Sequence, residues 1–134
     1  DSAFDIKIHS EVGMRIPLLA GAAGPVLLAQ MNDTEVNEIL STNELKQFTA
    51  NSCVNKKTYK ALVRKTRKDG IALDMEEYID GIRGFGLPIH TSRTNIQIAL
   101  WVVGFKQQIR NENIPKLAEY LKRRAEEIET KLSS

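Results

Sequence analysis

Ile82-Arg83-Gly84-Phe85-Gly86-Leu87-Pro88-Ile89-His90 and Ile96-Gln97-Ile98-Ala99-Leu100-Trp101-Val102-Val103-Gly104-Phe105 are two apolar runs joined by the polar Thr91-Ser92-Arg93-Thr94-Asn95. Runs of this length, rich in β-branched and aromatic residues and separated by a short polar link, read as the two strands of a hairpin. The second run is the most apolar in the chain, which predicts a central strand rather than an edge. Ile71-Ala72-Leu73-Asp74 reads as a short strand before them. Further upstream, Phe4-Asp5-Ile6-Lys7-Ile8-His9-Ser10-Glu11-Val12 alternates apolar and polar residues as a half-buried strand does, and Gly13 closes it.

The helices lie between and after these strands. Leu18 to Ala29 has almost no polar side chains, and its second half reads as a buried helix with Pro25 in the first turn, where a missing N–H costs nothing. A helix apolar nearly all round has to be sandwiched inside the molecule. Asn32 stands three residues before Glu35, the arrangement of a capping box, and opens a surface helix with Val36, Ile39 and Leu40 on one face. Residues 41–55 read as loop, with a turn around Leu45 and Phe48. A helix then runs from about Asn55 to Lys68 on an inner stripe of Tyr59, Leu62, Val63 and Thr66, and Asp69-Gly70 ends it. Asn113 is read as the cap of a long final helix to about Leu132, one-sided through Ile114, Leu117, Ala118, Leu121, Ala125, Ile128 and Leu132. Strand, helices, strands, helix in that order predicts an α+β domain: a mostly antiparallel sheet with helices packed on its faces.

The 134 residues form one domain, 1–134, without internal repeat or linker. Hydrophobic residues at 42% and charged residues at 27% are a globular composition. A net charge of +2 is too near neutral to argue for nucleic acid by itself. Cys53 is the only cysteine, so neither an intrachain disulfide nor a cysteine zinc cluster can form. No apolar run approaches the ~20 residues that cross a bilayer. The opening Asp1-Ser2-Ala3-Phe4-Asp5 lacks a signal peptide's layout, so a cytoplasmic protein is expected.

Little catalytic apparatus is visible. His9 and His90 sit in no recognisable pattern, and Cys53 reads as an incidental thiol in a polar stretch. Asp74, Glu76, Glu77 and Asp80 put four acids into seven residues without an EF-hand's spacing, which reads as a solvated acidic turn. No metal site, catalytic residue or cofactor is expected. The cations Lys56, Lys57, Lys60, Arg64, Lys65, Arg67 and Lys68 spread over the outer faces of their helix with no interleaved aromatics, which reads as a solvated basic face. Gly21-Ala22-Ala23-Gly24 is more informative. Small residues opening a buried helix leave unpaired N–H groups at its positive end, where a carboxylate can dock. Tight helix–sheet packing accounts for the same residues equally well.

Gly13-Met14-Arg15-Ile16-Pro17-Leu18, Ala22-Ala23-Gly24 and Leu27-Leu28-Ala29 resemble the opening of the effector-binding domain of IclR-type bacterial transcriptional regulators. A second block agrees in order and distance: Arg67 to Asp74, Glu76-Glu77, Gly81-Ile82-Arg83, Pro88-Ile89 and Ala99 to Gly104. The resemblance implies a GAF-like sensory domain that binds a small organic acid. It further implies that operator DNA is bound only through a separate N-terminal winged helix-turn-helix domain, in a homodimer or homotetramer; that domain and the first strands of the sensory domain are expected before Asp1. Carried over residue by residue, it places backbone donors at Ala22 and Ala23, a polar contact at Asp74 and apolar walls at Ile8, Ile16 and Ile82. Where relatives often present Cys or Ser, this chain has Gly84, Trp101 and Val103, so the polar grip on a short hydrophilic acid is largely missing.

Two expectations follow from that departure. The indole of Trp101 stacks on a ligand with an apolar or aromatic body, or it fills the cavity and leaves a ligand-free dimerisation and interaction module. A small enzyme using Asp74 and Glu77 as an acid/base pair ranks last, because neither carboxylate has a nucleophile, cofactor or metal evident beside it.

Overall fold

The computed structural model of the chain describes residues 11–133. In chain order these form α1 (Ala23–Ala29), α2 (Asp33–Thr42), α3 (Lys56–Asp69), β1 (Ala72–Met75), β2 (Ile82–Ile89), β3 (Ile98–Phe105) and α4 (Ile114–Ser133), with a single 3-10 turn, Asn111–Asn113, before α4. The fold is α+β. The strand expected over Phe4 to Val12 falls almost wholly outside the described residues.

The three strands form one antiparallel sheet in the order β1-β2-β3. Register sets the faces, because residues directly opposite across an antiparallel pair point the same way. Ala72, Gly86 and Trp101 are in line, as are Asp74, Gly84 and Val103. On that face α1 lies against the sheet through Ala22, Val26, Ala72, Ala99 and Trp101. On the other face Phe85, Leu87 and Ile89 of β2 and Leu100 of β3 pack against Ile114, Leu117, Leu121 and Ala125 of α4. A separate cluster joins α1 to α2 and α3 through Leu28, Val36, Leu40, Tyr59 and Val63.

Among the described residues β2 is the middle strand, with β1 on one side and the more apolar β3 on the other. β2 is covered by α1 on one face and α4 on the other and is buried at nearly every position, whereas every residue of β3 is half-buried. Its two glycines lower the apolarity of β2 in the sequence, and they are what bring the helix layer close. A Cβ on Gly86 would lie 2.6 Å from the Ala22 carbonyl oxygen and 2.8 Å from Val26 Cγ2.

The helix signals are met at α2 and α3. Asn32 Oδ1 accepts from Glu35 N–H at 2.8 Å while Glu35 Oε1 accepts from Asn32 N–H at 3.0 Å. Asn55 Oδ1 accepts from Thr58 N–H at 2.9 Å, and Gly70 ends α3 in the left-handed region. Asn113 behaves differently. Its side chain makes no capping bond among the described residues; the 3-10 turn itself closes this end, Asn113 N–H donating to Arg110 O at 2.8 Å.

Substituting Gly86→Ala forces a side chain into the backbone of α1 and is expected to destabilise the domain by ~1–3 kcal/mol, the cost of overpacking. Urea denaturation with an unchanged m-value and a lowered midpoint checks this.

Candidate functional site

The face of the sheet under α1 gathers most of the residues singled out in the sequence. Trp101 projects from β3 at the level of Gly86, and its ring runs across Gly84, where a Cβ would lie 3.2 Å from the indole Nε1 and 3.1 Å from Val103 Cγ1. The far edge of the ring reaches Gly21. A Cβ there would overlap Trp101 Cζ2 outright and lie 3.1 Å from Asp74 Oδ2. Gly21 also has φ +58°, a conformation that glycine adopts without strain. Indole, Gly84, Gly21 and the Asp74 carboxyl therefore form one contiguous patch.

The placements can be stated residue by residue. Ala22 is fully buried and stands immediately before α1, while Ala23 is the first helical residue and half-buried. Asp74 is 1% exposed, on β1 opposite Gly84. Ile82 is buried at the start of β2 on the same face. Ile16, by contrast, is 40% exposed, and no described packing joins it to the patch. Ile8 lies outside the described residues.

Four donors on this face find no acceptor among the described residues. Trp101 Nε1 is buried and has no hydrogen-bond partner there. Among the described residues no carbonyl accepts from the N–H of Gly21, Ala22 or Ala23, whereas Gly24 N–H reaches Ala20 O at 3.4 Å. A buried N–H without a partner costs roughly 1–3 kcal/mol, and each such group calls for a physical reason. The helix dipole adds little to these amides, because α1 is only seven residues long.

Asp74 is held from the neighbouring turn: its Oδ1 accepts from Glu77 N–H at 2.8 Å. Glu77 Oε2 in turn accepts from Met75 N–H at 3.3 Å. Burial pushes the Asp74 carboxyl above the ordinary Asp value, with the nearby Glu76 charge adding to the rise. Burial and the charge of Asp74 do the same to Glu77. The acidic stretch is thus not the solvated turn that its composition suggests. Glu76 accepts from Gly81 N–H at 3.1 Å and pairs with Arg83 at 3.4 Å, while Thr49 and Ser52 donate to the Glu76 and Glu77 carbonyls, each at 2.6 Å.

Sequence reasoning passed over several residues of the site. A half-enclosed cavity of about 210 Å³ borders Gly21, lined by Leu19, Leu45, Phe48, Cys53, Tyr59 and Glu77 among others. Phe48 meets Tyr78 edge to face at 4.9 Å, and Tyr78 lies 6.0 Å from Trp101, so an aromatic chain links the cavity to the indole. Gly21 was visible in the small-residue quartet, but nothing in its spacing says that an indole rests on it. Among the described residues no cluster of three or more His, Cys, Asp or Glu is arranged to hold a metal ion.

With this geometry in view, comparison with known proteins is decisive. The model of the bacterial transcriptional regulator IclR C-terminal domain matches residues 1–130. The chain belongs to the IclR family. This IclR-type domain is 26% identical over 113 residues to the HTH-type transcriptional regulator XynR of Escherichia coli, a match covering 84% of this chain and 45% of that protein. It thus spans less than half the length of that curated relative. The crystal structure of Thermotoga maritima IclR superimposes with a TM-score of 0.85 at 32% identity, covering 98% of this chain and 53% of that one. A double mutant of the PobR inducer-binding domain from Acinetobacter, solved as a complex with 3-hydroxybenzoic acid, shares the fold at a TM-score of 0.81 and 20% identity, over 93% of this chain and 74% of that one. The family is one of transcriptional regulators, not enzymes. No helix of the described residues is long and apolar enough to cross a membrane.

The raised carboxyls have a sign that can be checked. A carboxyl whose folded-state value exceeds its unfolded one favours folding in its protonated form. Its charged form therefore costs stability as pH rises from the ordinary carboxylate range of ~4 to the raised value, and the cost is constant above it. Asp74→Asn keeps the acceptor for Glu77 N–H and removes the charge, so it is expected to raise the melting temperature at neutral pH. The gain should shrink as pH falls towards ~4, as thermal melts across pH read directly.

Proposed function

We propose that this IclR-type domain senses a small organic acid with an apolar or aromatic body, and that binding modulates the DNA affinity of a separate helix-turn-helix domain within a homodimer or homotetramer. The observation that carries the reading is the pair of buried donors without acceptors on one face, Ala22 N–H and Trp101 Nε1–H. A ligand bearing an oxygen acceptor satisfies what the protein leaves unsatisfied, and the gain is largest where water is excluded.

Each part of the patch supports a role. The amides at Ala22 and Ala23 suit a carboxylate head. Asp74, raised by burial, suits a hydroxyl or amine on the ligand, or in its protonated form donates to an oxygen. The indole offers a flat apolar wall, and Val103 and Ile82 stand on the same face. The cavity that borders Gly21, lined by Phe48 and Glu77 and not by Ala22 or Trp101, supports room for the ligand body beside the patch. In the PobR domain, which shares this fold, 3-hydroxybenzoic acid combines an aromatic ring, a hydroxyl and an acid. That is the class of ligand that this constellation suits.

A second reading has its own observation. The indole lies in the hollows left by Gly84 and Gly21, so the side chain itself occupies space that a ligand would need. On that reading the domain is a ligand-free interaction module.

Trp101 is the only tryptophan, so its emission reports on the site directly. Titration with aromatic, aliphatic and hydroxy acids is expected to shift both this emission and the melting temperature, since a ligand that binds only the folded state must raise it. Trp101→Phe keeps a ring and removes the donor. It is expected to weaken the best acid roughly threefold to tenfold, the worth of one neutral hydrogen bond. If no acid at millimolar concentration moves either signal in the parent, the ligand-free reading stands in its place.

A further inference from the structure

One face of α3 carries a row of cations, with Lys57, Arg64 and Lys68 exposed and Lys60 half-buried. Lys57, Lys60, Arg64 and Lys68 fall on one side of the helix, opposite the buried Tyr59, Val63 and Thr66. With a rise of 1.5 Å per residue the row is ~16 Å long. Lys65 pairs with Asp69 at 2.8 Å and Arg67 with Asp33 at 2.7 Å. Lys56 and the four cations of the row have no ion-pair partner among the described residues.

Such a row works against the helix that carries it. Lys56 and Lys60, Lys60 and Arg64, and Arg64 and Lys68 are like charges at i,i+4, a spacing at which they repel. Lys56 and Lys57 also occupy the first turn, where the helix end favours anions, and the first turn holds no acid. Inside the fold this repulsion is offset only in part, by Asp33 near Arg64 and Asp69 near Lys68, and the unbalanced remainder points to a partner outside it.

The face has no aromatic or large apolar residue to serve as the desolvated anchor that protein interfaces use. Its charges recur every three or four residues, about 4.5 to 6 Å of rise, which suits a polymer of regularly spaced anions. We infer that α3 is a sequence-independent contact for the phosphate backbone of duplex DNA. Lys57, Lys60, Arg64 and Lys68 provide up to four phosphate contacts, and binding draws its strength from release of condensed counterions. This surface is separate from the Trp101 patch, and either can fail without the other.

The test is fluorescence anisotropy of the 134-residue chain with a labelled mixed-sequence duplex, titrated across a range of KCl concentrations. Binding is expected to be weak, indifferent to sequence, and to fall with salt at a log–log slope of about −3 to −4. Lys60→Glu/Arg64→Glu is expected to bind at least tenfold more weakly at the lowest salt and to lose about two units of that slope. The swap sets opposite charges between Lys56 and position 60 and between position 64 and Lys68, and leaves 60 and 64 a like-charge pair, so the melting temperature is expected to stay close to the parent's, and a melt run beside the titration separates lost binding from unfolding. Lys106→Glu/Lys116→Glu makes the same change in net charge elsewhere and is expected to leave the affinity within about twofold, since only charges at the contact count. Four results overturn the inference: no duplex binding at the lowest salt, parental binding by the α3 variant, equal loss in the control variant, or displacement of the duplex by poly-glutamate at equal charge, which would assign the face to an acidic protein segment.

Discussion

The close approach of α1 to the centre of the sheet is the constraint on which the remainder of the molecule depends. It is possible because Gly86 has no side chain where the Ala22 carbonyl and Val26 come down on β2. That contact fixes the height of the helix start above the strands. At this height Gly21 meets the edge of the Trp101 ring, and the ring lies flat across Gly84. An ordinary layer of side chains between helix and sheet would leave Ala22 far from the indole and Asp74 in water. Small residues here set a distance, and the distance creates the chemistry.

The same face concentrates polar groups that the protein uses incompletely. Asp74 and Glu77 are both pushed above their ordinary values, chiefly by burial, and each takes a hydrogen bond from a backbone amide of the same turn. The turn is anchored from two sides: Thr49 and Ser52 hold its carbonyls, and Arg83 bridges Glu76 to the Ile109 carbonyl and the Asn111 side chain, both at 3.0 Å. A carboxyl fixed this firmly has little freedom to relax when its surroundings change.

Much of this was legible in the sequence because it is local. The capping box at Asn32 and Glu35, the cap at Asn55 and the stop at Gly70 depend on neighbours within a few positions, and the strands follow from short apolar runs. What was illegible depends on layers. The double cover of β2 could not be read from hydrophobicity, because its glycines lower the apolarity of the very strand that both helix layers cover. Four acids in seven residues look solvated until Thr49, Ser52 and Arg83 arrive from other elements. Ala22, Asp74, Gly84 and Trp101 lie on one face of the sheet, whereas the place of Gly21, Tyr78 and Phe48 beside the indole depends on contacts that no local pattern announces.

The seating of the indole also constrains how such a domain can diverge. Trimming the tryptophan opens a void bordered by two bare backbones and the Asp74 carboxyl, and neither glycine can grow to refill it. Gly21 holds φ +58°, and a Cβ on Gly84 would lie 2.6 Å from the Val102 carbonyl oxygen whatever stands at position 101. The volume of this hollow is therefore set by the side chain at 101 alone, so a change of room here comes by a single substitution.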